Sequence, residues 1–321
     1  MIRTFCLLSS LWLVCSIAHA APGPEMIDPE EAKADPDFAI QGEYAGEGVL
    51  PDGSRSKAGA QVIAQGDGKF RVVLYRGGLP GDGWQRGDDR FDLDGTREGD
   101  RAQLAGDKIT GAIEGARLTV ADPDGKKLLE LKRTERTSPS LGEKPPAGAV
   151  VLFDGTGAEH FRDGQLTDMK TLEAGTTTNE KFPIAKLHME FRLSWRPTAR
   201  GQGRSNSGVY LGGIPEIQVL DSFGLEGRNN ECGGFYGRRE PEVNMCLPPL
   251  VWQTYDVEFS EPARDAEGKP TENVRVTVRH NGVVIHDDYD TGKRELGPQG
   301  MHLQRHGNRV QYRNIWLLEK K

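Results

Sequence analysis

Residues 215–222, "PEIQVLDS", alternate Ile217 and Val219 with Glu216 and Gln218. On a strand, side chains two apart share a face and sit about 6.5 Å from one another, so a carboxylate and an amide point the same way. "MHLQRHG", 301–307, repeats the device, with His302, Gln304 and His306 opposite Met301 and Leu303. Four strand residues span about 13 Å, too far for both histidines to reach one metal as they would on a helix. A solvated face explains such alternation in many antiparallel sheets. The residue types argue for more. Glu, Gln and His form strands less readily than Thr or Val, and amide and imidazole can both donate and accept, which suits hydroxyl recognition. Asp221 falls on the opposite parity from Glu216 and faces away unless a bulge intervenes.

Other chemistries find no support. Around Asp92, Asp94 and Gly95 the chain resembles a calcium loop, but that spacing puts Arg90 and Arg101 at the first and last ligand positions. "GGLPGDGWQRG" lacks the glycine spacing and the Lys-Ser/Thr of a phosphate loop, although Trp84 on such a loop could stack a sugar. Neither a G-x-S-x-G elbow nor an H-E-x-x-H zinc helix is present.

These residues need strands to position them, and the chain supplies many. "AQVIAQGDGKFRVVLY" reads as two strands around Gly66-Asp67-Gly68, and "ARLTVADPDGKKLLELKR" as two around Asp122–Gly125. "LHMEFRLSW" sets Leu187, Met189, Phe191, Leu193 and Trp195 against His188, Glu190, Arg192 and Ser194. "NVRVTVRHNGVVIHDD" turns at Asn281-Gly282, the residue pair best suited to a type I′ hairpin. "GMHLQRHGNRVQYRNIWLLEK" reads as two strands around Gly307-Asn308. With no long helical periodicity, the expected class is all-β: a two-sheet jelly-roll sandwich preceded by a small antiparallel β domain.

The expected division runs as follows. Residues 1–20, with Arg3, an apolar run and Ala18-His19-Ala20, form a secretory signal peptide cleaved near Ala20. Residues 21–37 are acidic, Pro-rich and poorly ordered. The β domain covers 38–133, a linker 134–149 and the sandwich 150–321. The mature protein is then secreted or periplasmic. Cys232 and Cys246, the two cysteines left after cleavage, are expected to form a disulfide closing a loop of about 15 residues, worth roughly 3 kcal/mol; two free thiols or half of a metal site are the alternatives. The formal charge is −7, and −8 once Arg3 leaves with the signal. That balance disfavours nucleic acid and anionic membranes as partners, and no later segment is apolar enough to span a bilayer.

Several segments together resemble one family. "VVLFDGTGAEHF" (150–161), "NSGVYLGGIPEIQVLDS" (206–222), "GGFYG" (233–237), "WQTYDVEF" (252–259), "VTVRHNGVVI" (276–285) and "GPQGMHLQRHGNRVQYRNIWL" (297–317) are similar, in order, to the 3-keto-disaccharide hydrolase domain family of secreted bacterial proteins. The resemblance covers about 150–321. It is specific at the Asn-Ser-Gly, Glu-x-Gln-x-x-Asp and Leu-Gln-x-His-Gly motifs. It implies a concanavalin-like jelly roll with a carbohydrate site on its concave sheet, and carries over Asn206, Glu216, Gln218, Asp221, Gln304 and His306 as motif positions. The chain departs from the family at Gln253 after Trp252, at Tyr312 before Arg313-Asn314-Ile315, and in the Arg200–Arg204 run.

The activity so implied is cleavage of a 3-keto-disaccharide or related oxidised glycoside. A C3 ketone acidifies the C2 proton; a base removes it and the C1 glycosidic oxygen leaves. Glu216 is the candidate base and His306 the candidate acid. Gln218, Gln304 and Arg305 or Arg313 are candidate donors to the enolate. No cofactor is required, and a divalent cation is compatible with the electrophile's role. A conventional glycosidase would instead need a second carboxylate across the bond, for which Glu190 is the candidate. A carbohydrate-binding module using the same face, with Tyr210, Trp252 or Tyr312 as platforms, is the alternative without turnover. A structural or adhesive extracellular role is a third reading, with no specific feature behind it.

Overall fold

A computed structural model describes Gly23, residues 25–50 and residues 53–320; the expected signal segment lies outside them. The fold is all-β. Eight antiparallel strands between Gly42 and Thr134 close into a barrel, with Gly42–Val49 paired to both Arg55–Gly66 and Lys127–Thr134. Its hairpins turn where the glycines and aspartates fall: Asp67 and Gly68 take φ of 54° and 70° between Arg55–Gly66 and Lys69–Arg76. Ala60, Val62, Phe70, Val72, Leu104, Leu118 and Leu131 fill the interior.

Beyond it lies a two-sheet jelly-roll sandwich. One sheet runs in the order Val150–Phe153, Gln311–Glu319, Ile184–Arg192, Trp252–Phe259, Arg275–His280, Val283–Asp290, with Leu172–Glu173 added to Gln311–Glu319 as its seventh strand. The other orders five strands: Phe161–Arg162, Thr176–Thr178, Met301–Leu303, Asn206–Leu211 and Ile217–Leu220. Leu187, Met189, Phe191, Val209, Ile217, Val219, Met301 and Leu303 meet between the sheets as the alternation requires. Asn281 and Gly282, at φ 51° and 79°, make the predicted tight turn.

Barrel and sandwich pack as one body. Arg55–Gly66 is buried on both faces from Ala58 onward, because its outer face lies against the sandwich; Ile63, Val73 and Tyr75 join the sandwich core. In return Trp195 joins the barrel core, where its indole N–H donates to Asp35 Oδ2 at 2.9 Å. Such reciprocal burial is what makes these strands read as continuous rather than alternating.

Two expectations need correction. Residues 25–40 are not poorly ordered. Met26 pairs with Trp195, and two short helices, Pro29–Ala32 and Pro36–Ile40, start at Asp28 and Asp35, which cap them through Glu30 and Asp37 N–H groups. Asp-Pro is an N-cap followed by a proline at the first helical position, a helix start within an otherwise disorder-like composition. The expected linker packs on both units: Arg136 pairs with Glu43 at 2.5 Å, and Ser138 and Ser140 bond Thr254 and Asp256. Cys232 and Cys246 are two fully buried free thiols, not a disulfide. They sit within hydrogen-bonding influence of one another and of Tyr255 O–H, which holds Cys232 Sγ at 3.3 Å. The two strands expected around Gly307-Asn308 are present, one in each sheet. Met301–Leu303 lies in the five-stranded sheet and Gln311–Glu319 in the seven-stranded one, so the segment crosses between layers.

Candidate active site

The outer face of the five-stranded sheet gathers Glu216, Gln218, Tyr210, His302 and Gln304. Register explains this. Gly208 is opposite Gln218 and Tyr210 opposite His302, so outward side chains of three adjacent strands converge. Glu216 immediately precedes the Ile217–Leu220 strand, and its side chain lies across Gly208. A Cβ on residue 208 would come 1.9 Å from Glu216 Oε1. The glycine of Asn206-Ser207-Gly208 is therefore the slot that lets the carboxylate lie on the sheet.

One hydrogen-bond chain orders the group. Gln304 Nε2 donates to Tyr210 Oη at 3.1 Å, and Tyr210 O–H donates to Glu216 Oε2 at 2.5 Å. With its amide nitrogen turned toward Glu216, Gln218 donates to Ser207 O at 2.8 Å and to Glu216 Oε1 at 3.2 Å. Gln304 lies past the last residue of its strand, yet its N–H still reaches Gly208 O at 2.9 Å and its carbonyl accepts from Ser207 Oγ at 2.7 Å. Tyr312 O–H, crossing from the other sheet, donates to Ser207 Oγ at 2.7 Å. That is Tyr312's role: it is fully buried and cannot be a sugar platform.

Burial raises the Glu216 pKa above the ordinary carboxylate value, against the Tyr210 hydrogen bond and the nearby charges of His306 and His302, which lower it. Burial and the Glu216 carboxylate push the Tyr210 phenol well above its usual range. His302 Nδ1 bonds Thr177 Oγ1 at 2.8 Å, and its ring lies 5.6 Å from that of Tyr210. His306 is exposed and lies close enough for its charge to act on Glu216. Because the strand ends at Leu303, parity does not govern His306.

The remaining motif positions divide. Asn206 is buried, its Nδ2 donating to Gln202 O at 2.9 Å while its Oδ1 has no protein partner. Asp221 is not a substrate ligand: it forms a buried ion pair with Arg204 Nε at 2.5 Å on the side away from Glu216. Glu190 cannot serve as a second carboxylate for Glu216, because it projects from the outer face of the opposite sheet. There it accepts from Arg313 Nε at 2.6 Å, Gly142 N at 2.6 Å and Asn314 Nδ2 at 2.9 Å. Arg313 is excluded from the Glu216 cluster for the same reason. Trp252 belongs to that sheet too, half-buried beneath Arg313.

Sequence reasoning missed Tyr236, an exposed tyrosine in "GGFYG". Its N–H donates to Glu216 O at 2.9 Å, placing it beside Tyr210; among the described residues these are the two most solvent-facing aromatics, 45% and 37% exposed. The signal was the motif itself, adjacent in function though not in sequence. Gln202, which contacts Asn206 and Gln218, lies in the Arg200–Arg204 run where the chain departs from its family.

A group able to hold a metal lies on the other sheet. Ligand atoms of Glu143, His188 and Asp256 lie within 4.8 Å of one another. His188 Nδ1 already bonds Asp256 Oδ1 at 2.7 Å. Burial disfavours charge on His188, but Asp256 and Glu190 outweigh it and push its pKa up to about 9. Glu190, despite burial, is held down to about 2 by His188, Asn314, Gly142 and Arg313. His188 is thus matched by Asp256 and Glu190.

Residues 143–318 match the profile of a 3-keto-alpha-glucoside-1,2-lyase-like domain, more than half of the chain. Two crystal structures from Parabacteroides distasonis ATCC 8503, each provisionally described as a glycosyl hydrolase, are similar in part. One is 27% identical over 55% of this chain and 85% of its own, with a TM-score of 0.45. The other is 16% identical over 54% and 95%, with a TM-score of 0.40. Both scores fall below 0.5, so the assignment rests on the profile match. No curated protein matches. Among the described residues, no helix is long and apolar enough to cross a membrane.

Proposed function

The chain belongs to the 3-keto-alpha-glucoside-1,2-lyase-like domain family, and from that premise we propose that it cleaves the glycosidic bond of an oxidised, 3-keto glycoside, with Glu216 as the base. The carrying observation is the Glu216 carboxylate: laid in the Gly208 slot, half-buried, raised in pKa and gripped by Tyr210. A carboxylate poised above its ordinary value suits removal of a proton made acidic by a neighbouring ketone.

In this reading Glu216 takes the C2 proton, and the C2–H electrons form the enolate of the C3 ketone. That electron pair then expels the C1 oxygen, leaving a C1–C2 double bond, and the leaving oxygen takes a proton from His306. Water adding across the double bond would complete a net hydrolysis. Gln304 and His302 stand on the same face as donors for the developing enolate oxygen, and such donors contribute most when they are held in place beforehand. Tyr210 and Tyr236 offer ring faces to the sugar. The expected export of the mature chain is compatible with a glycan substrate.

The test is release of the aglycone from 3-keto-glucosides beside their unoxidised parents, with and without chelator. Release from the keto forms alone supports the proposal. Release from the parents at the same rate would point to a conventional glycosidase and sink it. Binding of glycans without any release would favour the binding-module alternative.

A further inference from the structure

A second concavity lies on the opposite sheet, and its chemistry differs from that of the Glu216 face. It is a groove of about 650 Å³, floored by Trp252, Arg313, Asn314 and Glu190, a size in the range of small-ligand sites. The linker at Gly142–Pro145 forms one wall, and Val151 and Met169 stand on the rim.

Three independent features set its preference. The first is Arg313. Its Nε is tied to the buried Glu190, and its guanidinium lies 4.0 Å over the Trp252 ring. Anchored on one edge and one face, it leaves Nη1 and Nη2 without a hydrogen-bond partner among the described residues, on a side chain 38% exposed. A guanidinium so held presents a planar two-donor fork, the geometry that matches a carboxylate. The second is charge. Arg192, also against Trp252 at 4.8 Å, brings a second guanidinium to the floor, and Lys144 and Lys170 bring the lining to four cations against the carboxylates of Glu143, Asp154 and Glu190, the last already bonded by Arg313. Burial, then the nearby Arg313 charge, lowers the Arg192 pKa. The third is the apolar rim. Among the described residues the exposed large hydrophobics are Tyr210 and Tyr236 by Glu216, Val151 and Met169 on this groove, and Leu166. Asn314, at φ 45° in a strand that shifts register between His188 and Glu190, is the bulge that aims Arg313 and Asn314 at the same carboxylate. Bulges of this kind re-aim side chains at binding sites.

We infer that this groove binds an acidic pyranoside, with the sugar carboxylate on the Arg313 fork and an apolar ring face against Met169 and Val151. A pyranose supplies both surfaces at once, whereas a bare inorganic anion supplies only the charge. The groove lies on the other face of the sandwich from Glu216, so the inference does not rest on the proposed reaction. It would anchor a uronate-bearing glycan apart from the cleavage site.

Calorimetric titration of the mature protein with methyl glucuronoside, methyl glucoside and sodium sulfate tests it. Glucuronoside is expected to bind at least ~10-fold more tightly than either of the others, since a fork and a ring contact each add discrimination. Arg313→Lys keeps a cation for Glu190 but loses the fork, and should weaken glucuronoside at least ~10-fold. Lys170→Glu, at an exposed position that leaves the core untouched, should weaken it as well. Glu216→Gln should leave it unchanged. Absence of glucuronoside binding, equal binding of sulfate, or an unaffected Arg313→Lys variant would each overturn the inference.

Discussion

Glu190 and Glu216 are the same residue type on the outer faces of two sheets of one sandwich, and their surroundings drive them in opposite directions. Glu190 has donors on both oxygens from a guanidinium, an amide and a backbone N–H; its pKa falls to about 2. It sits beneath the linker, fully ionised and fully occupied. Glu216 has a phenol and an amide, neither of them charged, is half-buried, and its pKa rises. Desolvation that outweighs the neighbouring charges, here those of His306 and His302, leaves a carboxylate usable as a base; the same desolvation overcome by His188, Asn314, Gly142 and Arg313 makes it a structural anchor. A polar strand face is therefore not enough to locate chemistry. What decides is whether the carboxylate has already been neutralised by its neighbours.

The comparison can be broken most sharply by exchanging the two residues' fates. Glu216→Gln should cut turnover roughly 10²–10⁴-fold, the usual contribution of a general base, with little change in melting temperature. Glu190→Gln should do the reverse, costing about 3 kcal/mol by leaving Arg313 without its anion and His188 with Asp256 alone, while kcat survives in the folded fraction. Denaturant unfolding alongside steady-state rates reads both. Loss of turnover in the Glu190 variant at full stability would contradict the division.

Gly208→Ala is the next largest effect. The residue is not in a left-handed conformation, so alanine strains nothing in the backbone; its methyl collides only with Glu216. Displacing a reacting group by about 1 Å costs about 10²-fold in rate, and the thermal stability should barely move. An unaffected kcat would show that Glu216 does not need the slot.

Tyr210→Phe should have the smallest effect and a diagnostic one. The Tyr210 hydrogen bond favours the ionised form of Glu216. Its loss raises the Glu216 pKa further, so the acid limb of kcat/KM moves to higher pH. A limb that stays in place would mean that another group titrates.

Much of this was readable from residue order. The alternation of "PEIQVLDS" puts Glu216 and Gln218 on one face and Asp221 on the other, and Asp221 indeed turns away to Arg204. Hairpins at Asp67-Gly68 and Asn281-Gly282 follow from turn chemistry that acts locally. What stayed hidden depends on contacts distant in sequence. His302, Gln304 and His306 read as one strand, but pairing stops at Leu303 because the chain must cross to the other sheet. Nothing in "LHMEFRLSW" tells that Glu190 faces away from Glu216, since both sheets of a sandwich have outward faces with the same pattern. The Asp-Pro helix starts were legible and were outweighed by composition. The close approach of Glu216 to Gly208 needed the cross-strand register.

The central claim is that Glu216 removes the proton at C2. It is tested by turning over a 3-keto-glucoside deuterated at C2 and comparing kcat/KM with the protonated substrate. The account predicts a primary isotope effect, loss of the label to solvent, and neither in Glu216→Gln. Cleavage with the deuterium retained at C2 would contradict it.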